Sequence, residues 1–173
     1  MGKVSIVKTE NDVKQSLHKA IDLIGGLHHF VREEDQVLLK PNLNDFELFT
    51  NPALMEALIQ YLFDFRIKKV MIAESTFGNQ HITEKHFLKS GYDDICKKYD
   101  IPLVNLNKSI PVNIHVTDPL VLDCINAAKE VREVTKVINI PVMKVHYATG
   151  VTLGLKNLKG FLTPEAKKQF HQI

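Results

Sequence analysis

Gln36-Val37-Leu38-Leu39-Lys40-Pro41-Asn42 is the stretch on which the reading of this chain turns. Three consecutive apolar residues, Val37 to Leu39, leave neither side of a strand wet, the pattern of a strand buried on both faces in a parallel sheet. Pro41 has no N–H to give to a ladder and closes the strand, and the chain turns at Asn42. Segments with helical periodicity lie on either side. Upstream, Asn11 or Asp12 can cap a helix whose apolar face is Val13, Leu17, Ala20, Ile21 and Ile24, ended by Gly25-Gly26. Downstream, Thr50 or Asn51 followed by Pro52 starts a helix carrying Leu54, Ala57, Leu58, Tyr61 and Leu62.

The alternation continues outward. Val4 to Val7, Lys69 to Ala73 and Pro102 to Leu106 read as strands, and Ile82 to Tyr99 reads as a helix broken near Ser90-Gly91. Val112 to Val116 alternates like a strand, and Asn126 to Val134 fits a helix or irregular chain. Lys136 to Pro141 repeats the buried-strand pattern, and Gly150 to Phe161 and Pro164 to Phe170 have helical spacing. Strands separated by helices predict an α/β fold, a mostly parallel sheet with helices on both faces in a Rossmann-like three-layer architecture. No repeat, low-complexity tract or shift in composition divides the chain, so one domain over residues 1–173 is expected.

Composition narrows the function classes. The 173 residues carry 22 basic and 20 acidic side chains, a net charge of +2, too even for a nucleic-acid footprint. Cys96 and Cys124 form no CxxC pair, cannot supply four thiolates, and sit in apolar surroundings like core thiols. No intrinsic iron–sulfur cluster is therefore expected. No signal region opens the chain and no run approaches ~18 apolar residues, which points to a cytoplasmic protein without a membrane span.

In open α/β sheets ligands bind beyond the carboxyl ends of the strands. There the sequence places Lys40-Pro41-Asn42, then Glu74-Ser75-Thr76, and, beyond Val137 to Pro141, Lys144 and His146. Pro41 biases Lys40 toward an extended backbone, and Asn42 offers both donors and an acceptor, a combination suited to a carboxylate or phosphate. The run from Lys144 to Gly160 concentrates polar groups. With Thr149 capping a helix, its N–H groups would favour an anion beside Lys144 and His146, while Thr149, Thr152, Lys156 and Lys159 would share one face. The blander reading buries Val151, Leu155 and Leu158 and leaves Lys156 and Lys159 as a solvated face.

Motifs for common chemistries are missing. Gly150 to Lys156 lacks Walker A spacing, no GxGxxG follows a strand, and there is neither an HExxH nor a GxSxG. Among the 8 histidines, His146 and His171 stand out by position, and two histidines with Glu74 would form a metal site only if folding united them.

On these residues the chain resembles the domain of unknown function 362 family, some of whose members carry ferredoxin-like iron–sulfur modules. Val37 to Asn42 matches a lysine-proline-asparagine strand end. Ile138 to His146 matches an apolar-Asn-apolar-Pro-apolar-apolar-Lys-x-His segment. Thr149 to Gly160, read TGVTLGLKNLKG, with the later Phe170-His171, matches the family's most distinctive helix and closing histidine. The resemblance implies a site without a substrate and suggests cluster-related or redox work. This chain has no cysteine-rich extension, so a cluster would belong to a separate ferredoxin-like partner.

The first expectation is an enzyme acting on a carboxylate or phosphate. Lys40, Asn42, Thr149, Thr152, Lys156 and Asn157 would bind the ligand, and His146, Lys144 and Glu74 would perform acid–base chemistry. The second is a non-catalytic module that binds a metal or metabolite or docks a redox partner. The third makes the polar helix a contact in a homo-oligomer.

Overall fold

A computed structural model of the chain describes residues 2–9, 12–77, 79–146 and 149–170. In chain order the first half comprises α1 (Val13–Leu23), β1 (Gln36–Lys40), α2 (Pro52–Asp64), β2 (Lys69–Glu74), α3 (Gln80–Ser90), α4 (Tyr92–Tyr99) and β3 (Leu103–Asn105). The second half comprises β4 (Pro111–His115), β5 (Cys124–Ala128), α5 (Glu130–Glu133), β6 (Lys136–Asn139), β7 (Lys144–His146), β8 (Gly150–Thr152), α6 (Gly154–Asn157) and α7 (Pro164–Gln169).

Four strands form a parallel sheet in the order β3-β2-β1-β6. The consecutive apolar residues of β1 divide between its faces. Val37 and Leu39 enter a core with Val70, Ile72 and residues of α2 and α4 such as Leu58, Leu62 and Ile95. Leu38 enters a second core with Ala73, Leu106, Ala128 and Phe161. Helices cover the sheet in a Rossmann-like three-layer α/β arrangement, and full burial of side chains such as Leu38 and Leu39 contributes roughly 1.5–3 kcal/mol each. Local signals set the helix ends. Asp12 accepts from the Gln15 N–H at 3.0 Å, Asn51 accepts from the Ala53 N–H at 2.8 Å with Pro52 in the first turn, and Gly91 at φ 74° separates α3 from α4.

Strand order positions the site. From β1 the chain winds outward through β2 to β3, then returns to place β6 on the other side of β1. The order thus reverses between β1 and β6, where the carboxyl ends of the two strands open a crevice.

Four local expectations are corrected. Val4 to Val7 is not a strand: among the described residues no strand pairs with it, Val4 and Ile6 are 87% and 92% exposed, and the segment is tied to α1 by Ser5 Oγ donating to the Ala20 carbonyl. Within Asn126 to Val134, Asn126 to Ala128 belong to β5, because pairing with β4 supplies ladder partners, and only Glu130–Glu133 is helical. Lys136 to Pro141 is not buried on both faces: among the described residues β6 pairs with β1 alone, at the edge of the sheet, and Val137 remains exposed. Gly150 to Phe161 is not one helix. Gly150–Thr152 pairs antiparallel with β7, Val145 opposite Val151, and only then do the short α6 and a 3-10 turn over Leu158–Phe161 follow. The left-handed Gly150, at φ 70°, serves the turn of this hairpin, and β-branched Val151 and Thr152 favour its strand.

Candidate functional site

The crevice floor is an ion pair. Lys40 closes β1, Glu74 closes the adjacent β2, and Lys40 Nζ lies 2.5 Å from Glu74 Oε1 with side-chain exposures of 0% and 4%. Lys40 Nζ also donates to the Pro41 carbonyl at 3.0 Å and stands 5.8 Å from the centre of the Phe161 ring, while the Ser75 N–H donates to Glu74 Oε1 at 2.7 Å. Burial pushes the Glu74 carboxyl up and the Lys40 ammonium down, and each charge opposes the shift of the other. Gly160 makes room for this pair. A Cβ built there would stand 2.5 Å from Glu74 Oε1 and 2.6 Å from Lys40 Nζ, so the glycine that ends the KNLKG run is required by close approach.

Beside the pair, three asparagines lock the reversal point. Asn157 Nδ2, from α6, donates to Asn139 Oδ1 of β6 at 2.8 Å and to the carbonyls of Pro41 and Lys40 at 3.1 and 3.3 Å. Asn42 Nδ2 donates to Asn157 Oδ1 at 2.9 Å, and Asn139 Nδ2 donates to the Gly154 carbonyl at 2.8 Å. The Asn42 backbone is clamped through Thr50, whose hydroxyl accepts from the Asn42 N–H and donates to the Ile140 carbonyl.

Above this floor lies a cleft of ≈ 440 Å³ lined by Asn42, Glu74, Ser75 and Asn157 below and by Lys144, His146, Thr152, Lys156, Lys159 and Lys167 around its walls. Asp45 and Phe77 are also in the lining. Lys144 leans on the loop after β1, donating to the Leu48 carbonyl at 2.7 Å and approaching Asp45 at 3.8 Å. Burial lowers the ammonium pKa of Lys144, opposed by Asp45 and Glu74. Burial also lowers Lys156, with help from Lys159 and Lys144, and burial alone lowers Lys159. Among the lysines of the lining, the largest lowering is at Lys167 of α7. Desolvation brings it down to about 8, against the pull of Glu74, while its Nζ donates to Ser75 Oγ at 2.5 Å.

The family model described as "Domain of unknown function (DUF362)" matches residues 37–173. The chain belongs to the DUF362 family. A thylakoid-associated protein of Synechocystis sp. is 29% identical over 161 residues, covering 90% of this chain and 48% of that protein, so the chain spans about half the length of this relative. No solved structure matches the chain. Among the described residues, no helix is long and apolar enough to cross a membrane, and no group of three or more His, Cys, Asp and Glu is placed to hold a metal ion.

In this DUF362 chain, Asn42, Glu74, Lys144, His146, Thr152, Lys156 and Asn157 of the sequence-derived set meet at one cleft. Lys40 lies beneath it, fully buried against Glu74, and is absent from the lining. Thr149 does not cap a helix and does not line the cleft. It sits in the β7–β8 turn, where its N–H donates to His146 Nδ1 at 3.3 Å and its hydroxyl to the Val151 carbonyl at 3.0 Å. The shared helix face of Thr149, Thr152, Lys156 and Lys159 therefore does not exist, because β8 and α6 divide those residues. His171 lies outside the described residues. Cys96 is buried, which pushes its thiol up to about 12, whereas Cys124 is only half-buried on β5. Sequence reasoning missed Lys167. Its neighbour Lys168 is exposed, and nothing in the composition of the helix distinguishes the two. What buries Lys167 is the docking of α7 through Thr163, which caps it and whose N–H donates to the Asn126 carbonyl.

Proposed function

We propose that the cleft binds a small carboxylate or phosphate and serves proton transfer on it. The observation that carries this reading is the charge balance among the described lining residues: Lys144, Lys156, Lys159 and Lys167 against Asp45 and Glu74, the latter already matched by Lys40. Partly desolvated ammonium groups attract an anion more strongly than solvated ones. Their lowered pKa values, with burial the leading cause, are the cost of holding them there without one.

In this reading Lys156 and Lys159 hold the anion, Lys144 orients it from the loop after β1, and His146 and Lys167 exchange protons with it. Lys167 suits the task because an amine titrating at about 8 is available in both protonation states near neutral pH. Glu74 sets the field beneath the ligand. The expected compartment is the cytoplasm, where the two free thiols stay reduced. Neither a resident metal nor a cluster is invoked.

The test uses inorganic sulfate, whose charge is constant across the range of interest. Calorimetric affinity should fall as pH rises through about 8, where Lys167 loses its proton, and Lys167→Met should remove that step. Unchanged sulfate binding in a Lys156→Ala/Lys159→Ala double variant would sink the anion site. Turnover of a substrate found by screening anionic metabolites should be lost in His146→Ala.

A second reading, a docking face for a ferredoxin-like redox partner, is favoured by Met143, Val145 and Leu155, apolar side chains left largely exposed beside the cleft. It predicts capture of a reduced or oxidised ferredoxin with strong salt dependence and no response to sulfate.

A further inference from the structure

The three asparagines form a head-to-tail chain whose direction is set at one end. The Gly154 carbonyl can only accept, so Asn139 must turn its NH₂ toward it and its oxygen toward Asn157. The Asn157 NH₂ faces Asn139 Oδ1 and two backbone carbonyls, of Lys40 and Pro41, and its oxygen therefore faces Asn42. Asn42 must answer with its own NH₂. An amide flip anywhere in the chain would set acceptor against acceptor, so the network fixes all three orientations.

The consequence falls on Asn42 Oδ1. Asn42 is 5% exposed and lines the cleft, yet its carbonyl oxygen is buried with no hydrogen-bond partner among the described residues. Two other buried side-chain atoms share that condition, on His18 and Asn107, but neither residue lines this cleft. A buried acceptor left unmet costs free energy that a donor recovers. Four lysines in the same lining disfavour a cation as that donor, whether a metal ion or an ammonium group. A neutral hydroxyl meets both requirements.

We propose that Asn42 is a specificity-determining residue, and that the anion held by the lysines carries a hydroxyl group that donates to Asn42 Oδ1. The ligand class is a hydroxylated small anion, either a hydroxycarboxylate or the phosphate ester of a polyol. This rests on the anion-binding reading of the same cleft and adds the group that selects among anions. The asparagine chain explains why Asn42 cannot adapt to a ligand without a donor, since its amide is held in one orientation from β6 through α6.

The test compares two pairs matched in charge: glycerate with propionate, and glycerol 3-phosphate with propyl phosphate, titrated into the intact protein by NMR or calorimetry. In at least one pair the hydroxylated member should bind roughly tenfold or more tightly. Asn42→Leu should abolish that preference while the remaining affinity still depends on Lys156 and Lys159. The pair that discriminates tells a carboxylate ligand from a phosphate one. Equal binding within both pairs, lost in Lys156→Ala/Lys159→Ala, overturns the role of Asn42 and leaves the anion site standing. No binding by any of the four, or binding indifferent to the lysines, overturns both. Should Asn42→Leu fail to fold, the comparison within pairs on the unmodified protein still decides.

Discussion

The floor of the cleft and its rim use the same residue type, lysine, to opposite ends. Lys40 at the floor is sealed from water, 2.5 Å from Glu74, and braced by a proline carbonyl, an aromatic ring and a glycine that admits it. Lys156 and Lys159 at the rim stand on a single turn of helix and a 3-10 turn after a two-stranded hairpin whose Val145 faces solvent. The floor is part of the fold, and its charges are spent on each other. The rim contributes little to the fold, and its ammonium groups are only partly desolvated. Burial and pairing, rather than residue identity, therefore set the structural Lys40 apart from the lysines proposed to bind the ligand.

The largest effect that would break this contrast is at Lys40. Replacing it with Met leaves the buried Glu74 carboxylate without its ion-pair partner and should cost about 3–5 kcal/mol in denaturant unfolding, with part of the loss recovered in Lys40→Met/Glu74→Leu. A loss no larger than that of a surface lysine would show the floor to be wet. Gly160→Ala comes next. Its Cβ must displace both partners of the pair, and a cost of roughly 1–3 kcal/mol is expected by thermal melting, with no change in the intrinsic chemistry of either group. At the rim, Lys156→Ala should change stability by no more than about 0.5 kcal/mol while weakening sulfate binding. A stability loss comparable to the floor variants would erase the distinction between the two regions.

What was legible in the sequence follows from local physics. Val37-Leu38-Leu39 required two buried faces whatever lay on them, and Val37 and Leu39 did enter one core and Leu38 the other. Pro52 behind Asn51, and Gly91 between two helical runs, act within a few residues of themselves and were readable for that reason. The convergence of Lys40-Pro41-Asn42, Glu74, Lys144 and His146 was readable because a parallel sheet delivers all its strand ends to one side. The hairpin of β7 and β8 was not. Its residues also satisfy helical spacing, and only the ladder between Val145 and Val151 chooses the strand.

The sequence by itself thus determined the α/β layering, several helix ends and many of the residues that gather at the cleft, since these depend on periodicity and on backbone chemistry within a few bonds. Tertiary structure alone decided which polar groups are buried and what they are paired with. Lys40 is cancelled by Glu74 from 34 residues away, Lys167 is buried against Ser75 from 92 residues away, and Asn42 is oriented by Asn157 from 115 residues away. The physical reason is that desolvation and hydrogen-bond direction are properties of an environment assembled from distant segments. No window of sequence contains them.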